Sequence, residues 1–480
     1  MIKFVLYQKL FKRGITVMDG MLKMSKKHNK NISSDDKERI FKDLPVPAAL
    51  KAMIIPAAAS QIIVLIYNMA DTFYVGQVND PYMVAATSLI LPLFNITLCL
   101  AGLAGTGGGA LISSLLGQDR PEEAKRVASF SIWLAVLIAA VFSISIGIFN
   151  KPLLNLLGAS DKTFTFARQY AMCVLVAGGI PTVLSNVLSN LIRSVGRSKE
   201  AGTGIILGGV LNIILDPIFM FIILPDGLEV FGAGLATCIS NIIACIYFLI
   251  VLYGMGTNRI ISFDIRGGLP LRQNILMVFS IGVPSAVATF LFDLDYVIID
   301  KLMVSYHDLA LAAIGIVLKV ERFPLNVGIG ICQGMLPLVA FSYASGNKKR
   351  MNDLIRLSRL TGLIIAAVSI LLYEIFAAQF IRIFIADPET VAMAEDFLRI
   401  RVLATPFMFL SFFTVYLFQA FKMGDKALIS GVTRWLVLNI PMLFILNGIF
   451  GMYGIVASQV TADILNTIIC FMMLKKYAPS

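Results

Sequence analysis

The sequence predicts an all-α polytopic membrane protein, with twelve transmembrane helices in two six-helix bundles related by a parallel internal repeat. Three observations carry this: an oily composition, a series of apolar segments long enough to span a bilayer, and motifs that recur at one offset. Of 480 residues, 58% are hydrophobic and only 14% charged, and the mean hydropathy is +0.83, whereas soluble chains carry about 25% charged residues. A dozen spans of about 20 to 25 residues with short connections use nearly the whole length, which excludes a large soluble catalytic domain.

Apolar runs lie at about 50–76, 82–114, 127–149, 163–194, 201–224, 231–254, 275–304, 310–342, 354–378, 395–421, 427–449 and 452–474. Backbone in hydrocarbon must satisfy its own hydrogen bonds, so these runs are predicted as helices. The short alternating segments of a transmembrane barrel are absent.

Lysine and arginine outnumber aspartate and glutamate by 40 to 29, a formal charge of +11. With the N-terminus placed inside, 31 of the basic residues fall on the cytoplasmic side and 7 on the other, while Lys319 and Arg322 lie within a span. That count treats Arg193, Arg197 and Arg434 as cytoplasmic and Arg401 as external. The positive-inside rule then puts both termini in the cytoplasm. Topology accounts for the basic excess, and no nucleic-acid partner is expected.

Residues 1–45 read as a polar cytosolic arm, because Lys9, Lys12 and Arg13 interrupt its short apolar run before a signal sequence can form. Met18, Met21 and Met24 leave the true start open. The remainder divides into an N-lobe at 46–254, a cytoplasmic linker at 255–274, and a C-lobe with a short tail at 275–480. Six cysteines sit in apolar stretches without a CxxC pair, and His28 and His307 lie in the arm and a short loop. They are expected to be packing and loop residues, with no cofactor or metal centre.

The halves echo each other. "AMIIPAAASQ" with Pro56 matches "FSIGVPSAVA" with Pro284, Gly117 matches Gly346, Gly196 matches Gly424, and Leu211–Asn212 match Leu438–Asn439, at offsets of 227 to 229. Six helices per half is an even number, so both halves cross in the same sense and the repeat is parallel. Two bundles that rock about a shared cavity suit alternating access. A duplicated bundle serving only as a scaffold is the plainer alternative.

Ionisable groups inside spans are costly and mark candidate sites unless paired or near an end. In "YNMADTFYVG", Asn68 and Asp71 lie three apart on one face, and upstream Pro56 offers a bend. In "LNIILDPIF", Asn212 and Asp216 lie four apart, and Pro217 cannot bond the Ile213 carbonyl. Oxygen acceptors beside a carboxylate suit a proton or a small hard cation, including a possible Na+ between Asp71 and Asp216. The alternatives are a helix-end residue for Asp71 and a kink-associated polar residue for Asp216.

Asp293, Asp295 and Asp300 make the seventh span acidic, and depth counting sets Asp295 level with Lys319 and Arg322. Ion pairing between helices is one reading, and a second cation or substrate site the other. Gln61, Asn186 and Asn190 join these aspartates as candidates for lining a substrate cavity, and Thr237 is a further polar candidate. "GTGGGA" at 105–110 lacks the Lys-Ser/Thr of a phosphate loop, so close helix packing is expected there, as at Gly330 and Gly334.

The stretches "IIPAAASQIIVLIYNMADTFYVGQ", "GGALISSLLGQDRPEEA", "LNIILDPIF", "GAGLAT" and "ICQGMLPLVAFSYASGNKKR" together resemble the multidrug and toxic compound extrusion (MATE) transporters, in the bacterial branch of DinF-like and MepA-like proteins. The resemblance covers about residues 46–474. It implies that Asp71 and Asp216 carry the coupling cation, H+ or Na+, with Asn212 and Thr237 in the same network and Pro56 as the bend. It also implies a monomeric exporter of organic, often cationic, compounds and not an enzyme. Lys319, Glu321 and Arg322 depart from that family's pattern. A lipid-linked oligosaccharide flippase of the same superfamily is the alternative function, since basic residues facing the central cavity would hold pyrophosphate.

Overall fold

The computed structural model describes residues 39–78, 80–256, 259–264 and 268–477. Most of the expected 1–45 arm, with His28, lies outside the described residues, as do parts of the 255–274 linker. Ten unbroken helices are long and apolar enough to cross a membrane, and two bent pairs bring the spans to twelve. These are α1 (Val46–Gly76), α2 (Pro81–Gly117), α3 (Pro121–Ile148), α4 (Asp161–Ala177 with Gly179–Ser194), α5 (Ser198–Ile223), α6 (Glu229–Gly254), α7 (Arg272–Val304), α8 (Asp308–Ala344), α9 (Lys348–Arg382), α10 (Pro388–Val402 with Thr405–Ala420), α11 (Gly424–Phe450) and α12 (Met452–Tyr477).

Side chains cap several helix starts and so satisfy backbone donors that the helix itself cannot. The Asp80 carboxylate accepts from the Tyr82 amide ahead of α2 at 2.8 Å, and Ser160 and Thr163 form a reciprocal box at α4. His307 serves α8 in the same way through Nδ1, which accepts from the Ala310 amide at 3.0 Å.

The bends in α4 and α10 are a feature that hydropathy did not predict. They measure 45° and 46° and fall six helices apart, so they are counterparts under the repeat. Each is followed by a proline, Pro181 or Pro406, whose missing N–H cannot close the helical ladder. In α4 the chain also loosens into a π-helical stretch, Met172–Ala177, before Gly178.

The repeat is visible in how the lobes meet. Ile54 and Ala58 of α1 oppose Gly334 and Gly330 of α8, and Leu103 and Gly107 of α2 oppose Gly282 and Val278 of α7. Both pairs run antiparallel, so α1 and α7 run the same way. Glycine is needed at these crossings: a Cβ on Gly334 would fall 2.7 Å from the Ile54 Cα. The stretch 105–110 does the same, and a Cβ on Gly108 would fall 2.8 Å from that of Ser131. Overpacking of this kind costs about 1–3 kcal/mol. We therefore expect Gly334→Val to lower the melting temperature of the purified protein. Gly315→Val on the same helix should not, because nothing lies within 4 Å of its Cβ position.

The core sits asymmetrically across the membrane. Calling the side where α1 begins the near face, residues of both lobes there form one apolar cluster, from Leu50, Met53 and Ala110 to Ile331, Met335 and Phe413. Toward the far face each lobe has its own core, Val75, Met83 and Leu175 in one and Ile299, Ile314 and Phe397 in the other. The lobes are therefore sealed at the near face and share no core at the far face. The segment before α1 crosses the seal: Phe41 stacks on Phe341 with ring centroids 4.8 Å apart. Arg350 of α9 donates to the Leu44 and Ile40 carbonyls at 2.7 and 3.0 Å. Part of the expected linker belongs to the N-lobe, where Ile260, Ile261 and Phe263 pack on its core and Trp133 Nε1 donates to the Phe263 carbonyl at 3.0 Å.

Candidate functional site

Toward the far face of the N-lobe, α5 carries Asn212 and Asp216 on one side because they are four apart. Pro217 interrupts the ladder, and the chain widens into a π-helical turn over Phe219–Ile223. The Asn212 amide donates to Asp216 Oδ1 and to Thr237 Oγ1 of α6, each at 3.2 Å. Asp216 is fully buried, and Asn212 and Thr237 are buried beside it. Asp71 of α1 lies within electrostatic reach of Asp216, and the Tyr67 and Tyr170 phenols interact with both carboxylates.

This cluster has more oxygen than it can satisfy. Asp71 Oδ1, Asp216 Oδ2 and Asn212 Oδ1 are buried without a hydrogen-bond partner. No arginine, lysine or histidine forms an ion pair with either acid among the described residues. An ionised carboxylate held this way costs several kcal/mol unless it takes up a proton or a cation. A proton needs one of these oxygens; Na+ would use several, and the orphaned set supplies three on two helices.

The other expected residues are placed more variously. Asn68 is exposed and stands apart from the Asn212–Asp216–Thr237 group, which holds together without it. Pro56 lies within an unbroken α1 and packs near Gly202 of α5. Gln61 donates across the lobes to Gln333 at 3.0 Å. Asn186 and Asn190 turn their amide donors to carbonyls of their own helix, at 2.9 and 3.1 Å. Only Asn190 of the two lines the small space between the lobes at the near face.

The seventh-span aspartates do not act together. Asp300 is exposed and Asp293 half-buried, and Arg322 is the positive charge that both face. Asp295 is fully buried within the C-lobe and does not line the space between the lobes; its Oδ1 accepts from Asn439 at 2.5 Å, and its Oδ2, like that of Asp216, has no hydrogen-bond partner. Nor do Lys319 and Arg322 pair with it. Lys319 is exposed, and the Arg322 guanidinium lies over the Phe292 and Tyr296 rings, 5.6 and 4.7 Å from their centroids.

Two buried acids of the C-lobe, Glu321 and Asp463, are answered by arginines that the charge count had placed outside the membrane. Arg401 on α10 makes a fork to Glu321 on α8, Nε to Oε2 at 2.6 Å and Nη2 to Oε1 at 2.8 Å, and Nη2 also reaches Gln459 at 2.5 Å. Gln459 donates to Asp463 at 3.3 Å, and Asp463 accepts from Arg434 Nε at 2.6 Å. Tyr296 of α7 donates to Glu321 at 3.1 Å, so this buried chain ties together α7, α8, α10, α11 and α12. Arg193 and Arg197, also assigned to a cytoplasmic loop, are buried too. One signal for the network was present in the sequence, Gln459 and Asp463 four apart on one face.

Comparison with known proteins agrees with this architecture. The MatE family model matches residues 56–218 and 271–445. A relative named multidrug export protein MepA, from Staphylococcus saprophyticus, is 29% identical over 429 residues, covering 89% of this chain and 93% of its own. MepA from Staphylococcus aureus strain MRSA252 is 28% identical over the same shares. Among solved structures, an outward-facing multidrug resistance MATE family transporter of the MOP superfamily has a TM-score of 0.86 at 21% identity, covering 91% of this chain and 97% of that one. A MOP superfamily transporter from Pyrococcus furiosus has 0.83 at 21%, covering 92% and 98%. The matched residues span both lobes, and the chain belongs to the MatE family, whose members are transporters and not enzymes.

Proposed function

We propose that this protein exports organic, often cationic, compounds from a bacterial cell by exchanging them for inward-moving H+ or Na+. It would work as a monomer in the cytoplasmic membrane, with both termini and the near face cytoplasmic. The MepA relatives support multidrug cargo. The observation that carries the coupling mechanism is the N-lobe cluster itself: Asp71 and Asp216 lie within electrostatic reach of each other, neither has a basic partner among the described residues, and with Asn212 they keep three orphaned oxygens. Two carboxylates in one unpaired cluster can share an outside cation. A near-face seal with unshared far-face cores is the geometry in which that cation would enter from outside. Each inward charge supplies about 2.3 kcal/mol per 100 mV.

Lys319 and Arg322 do not support the flippase reading, since Lys319 is exposed and Arg322 is spread over aromatic faces; a basic residue that does border the space between the lobes is Arg193. The test is uptake of ethidium by everted vesicles under a proton gradient alone, then under a sodium gradient alone. Uptake under one of them is expected and names the ion. Its absence under both would remove the antiport reading.

A further inference from the structure

We infer that the near-face cavity between the lobes is a binding site for an oxyanion of the cargo, a carboxylate above all, with Arg193 as the residue that selects it. The inference deepens the exporter reading and rests on it, because it names a chemical group the cargo can carry.

Arg193 stands in the last turn of α4 and is 4% exposed. A guanidinium buried to this degree ordinarily has a carboxylate partner. Here there is none among the described residues. Nη1 donates to Gln333 of α8 at 3.0 Å and, at 3.5 Å, to Asn190. Nε is buried without any partner. Both acceptors are neutral amide oxygens, which return only part of the solvation a charge loses.

The surroundings form a cavity rather than a packed core. Arg193, Asn190, Thr106, Gln333 and Tyr416 line a small space between α2 and α4 of one lobe and α8 and α10 of the other. Gly105 and Gly109 keep the wall thin there. Tyr416 of α10 lines the same space within electrostatic reach of Arg193, so polar groups of both lobes border it. A carboxylate entering here would meet the guanidinium fork and replace the Gln333 oxygen with a full counter-charge. The cavity lies on the sealed side, so it opens when the lobes part at the near face. That places the oxyanion contact at cargo loading. With no cargo, Gln333 takes the carboxylate's place and helps close the seam.

Two xanthene dyes separate charge recognition from general binding. Rhodamine B bears a free carboxylate, and rhodamine 6G carries the same position as an ethyl ester. Binding of each to the purified full-length protein is read by fluorescence polarisation. Arg193→Gln is expected to weaken rhodamine B by about tenfold or more and rhodamine 6G by less than about threefold, since a charge-assisted pair is lost for one dye only. Gln333→Glu is close in size, gives Arg193 a permanent carboxylate, and should expel rhodamine B while rhodamine 6G still binds. Equal losses for both dyes in both variants would make the arginine a closure contact and overturn the inference, as would unchanged rhodamine B binding. A wild-type protein that binds rhodamine 6G but not rhodamine B overturns this inference alone. Binding of neither removes the exporter reading with it.

Discussion

Asp216→Asn is expected to collapse gradient-driven export to the leak level while the protein still reaches the membrane in normal amount. The substitution is nearly isosteric and keeps an oxygen to accept from Asn212, which now bonds Asp216 Oδ1 at 3.2 Å, so the fold around α5 has no reason to fail. It removes the carboxylate that a proton or Na+ would neutralise. For a neutral cargo one charge falling through 100 mV is worth about 2.3 kcal/mol, or roughly a fiftyfold concentration ratio; for a monovalent cation exchanged one for one, the ion's concentration gradient alone sets the ratio. Without the exchangeable charge that ratio should approach unity. Asp71→Asn should behave in the same way, because Asp71 lies within electrostatic reach of Asp216 and contributes its own orphaned oxygen. Asn68→Ala, at an exposed position, should retain most of the activity. Vesicle uptake beside an immunoblot of membrane fractions checks all three, and full uptake by both aspartate variants would eliminate the coupling mechanism.

The twelve spans were legible because hydrocarbon imposes a length on every apolar run. The repeat was legible too, because Pro56 and Pro284, or Asn212 and Asn439, hold equivalent places in a parallel duplication. Helical spacing also put Asn212 beside Asp216, since residues four apart must share a face. Depth and partnership were not legible. Arg401 and Arg434 lie near span ends in the sequence, where the charge count assigned them to water, yet both are buried against acids on other helices. No local pattern specifies that a residue at 401 meets one at 321 or that 434 meets 463. The same blindness misplaced Asp295: periodicity sets it off the face of Asp293 and Asp300 but cannot say that Asn439 waits on that side. The matching bends in α4 and α10 arise at Pro181 and Pro406, and hydropathy cannot tell a bent span from a straight one.

Glu321→Ala should be among the most damaging substitutions in the C-lobe, although it removes no group assigned to cation exchange. Arg401 is 1% exposed, and its Nη1 already lacks a partner. Taking Glu321 away leaves the guanidinium with Gln459 as its one hydrogen-bond acceptor among the described residues, at 2.5 Å, and strands the Tyr296 hydroxyl that donated to Glu321. Breaking one side of a buried pair costs about 3–5 kcal/mol, because the surviving charge stays in low dielectric. Glu321→Gln should cost less, since it keeps acceptor geometry for both donors but not the charge. The pair is not expected to be irreplaceable: Glu321→Leu with Arg401→Met removes both charges and fills similar volume, and such exchanges are often neutral. Melting temperatures of the purified variants should therefore fall furthest for Glu321→Ala, less for Glu321→Gln, and recover in the double variant. Recovery would locate the cost in the stranded charge. A double variant no more stable than Glu321→Ala would show instead that the Tyr296–Glu321–Arg401–Gln459 chain positions the five helices in a way that packing alone cannot replace.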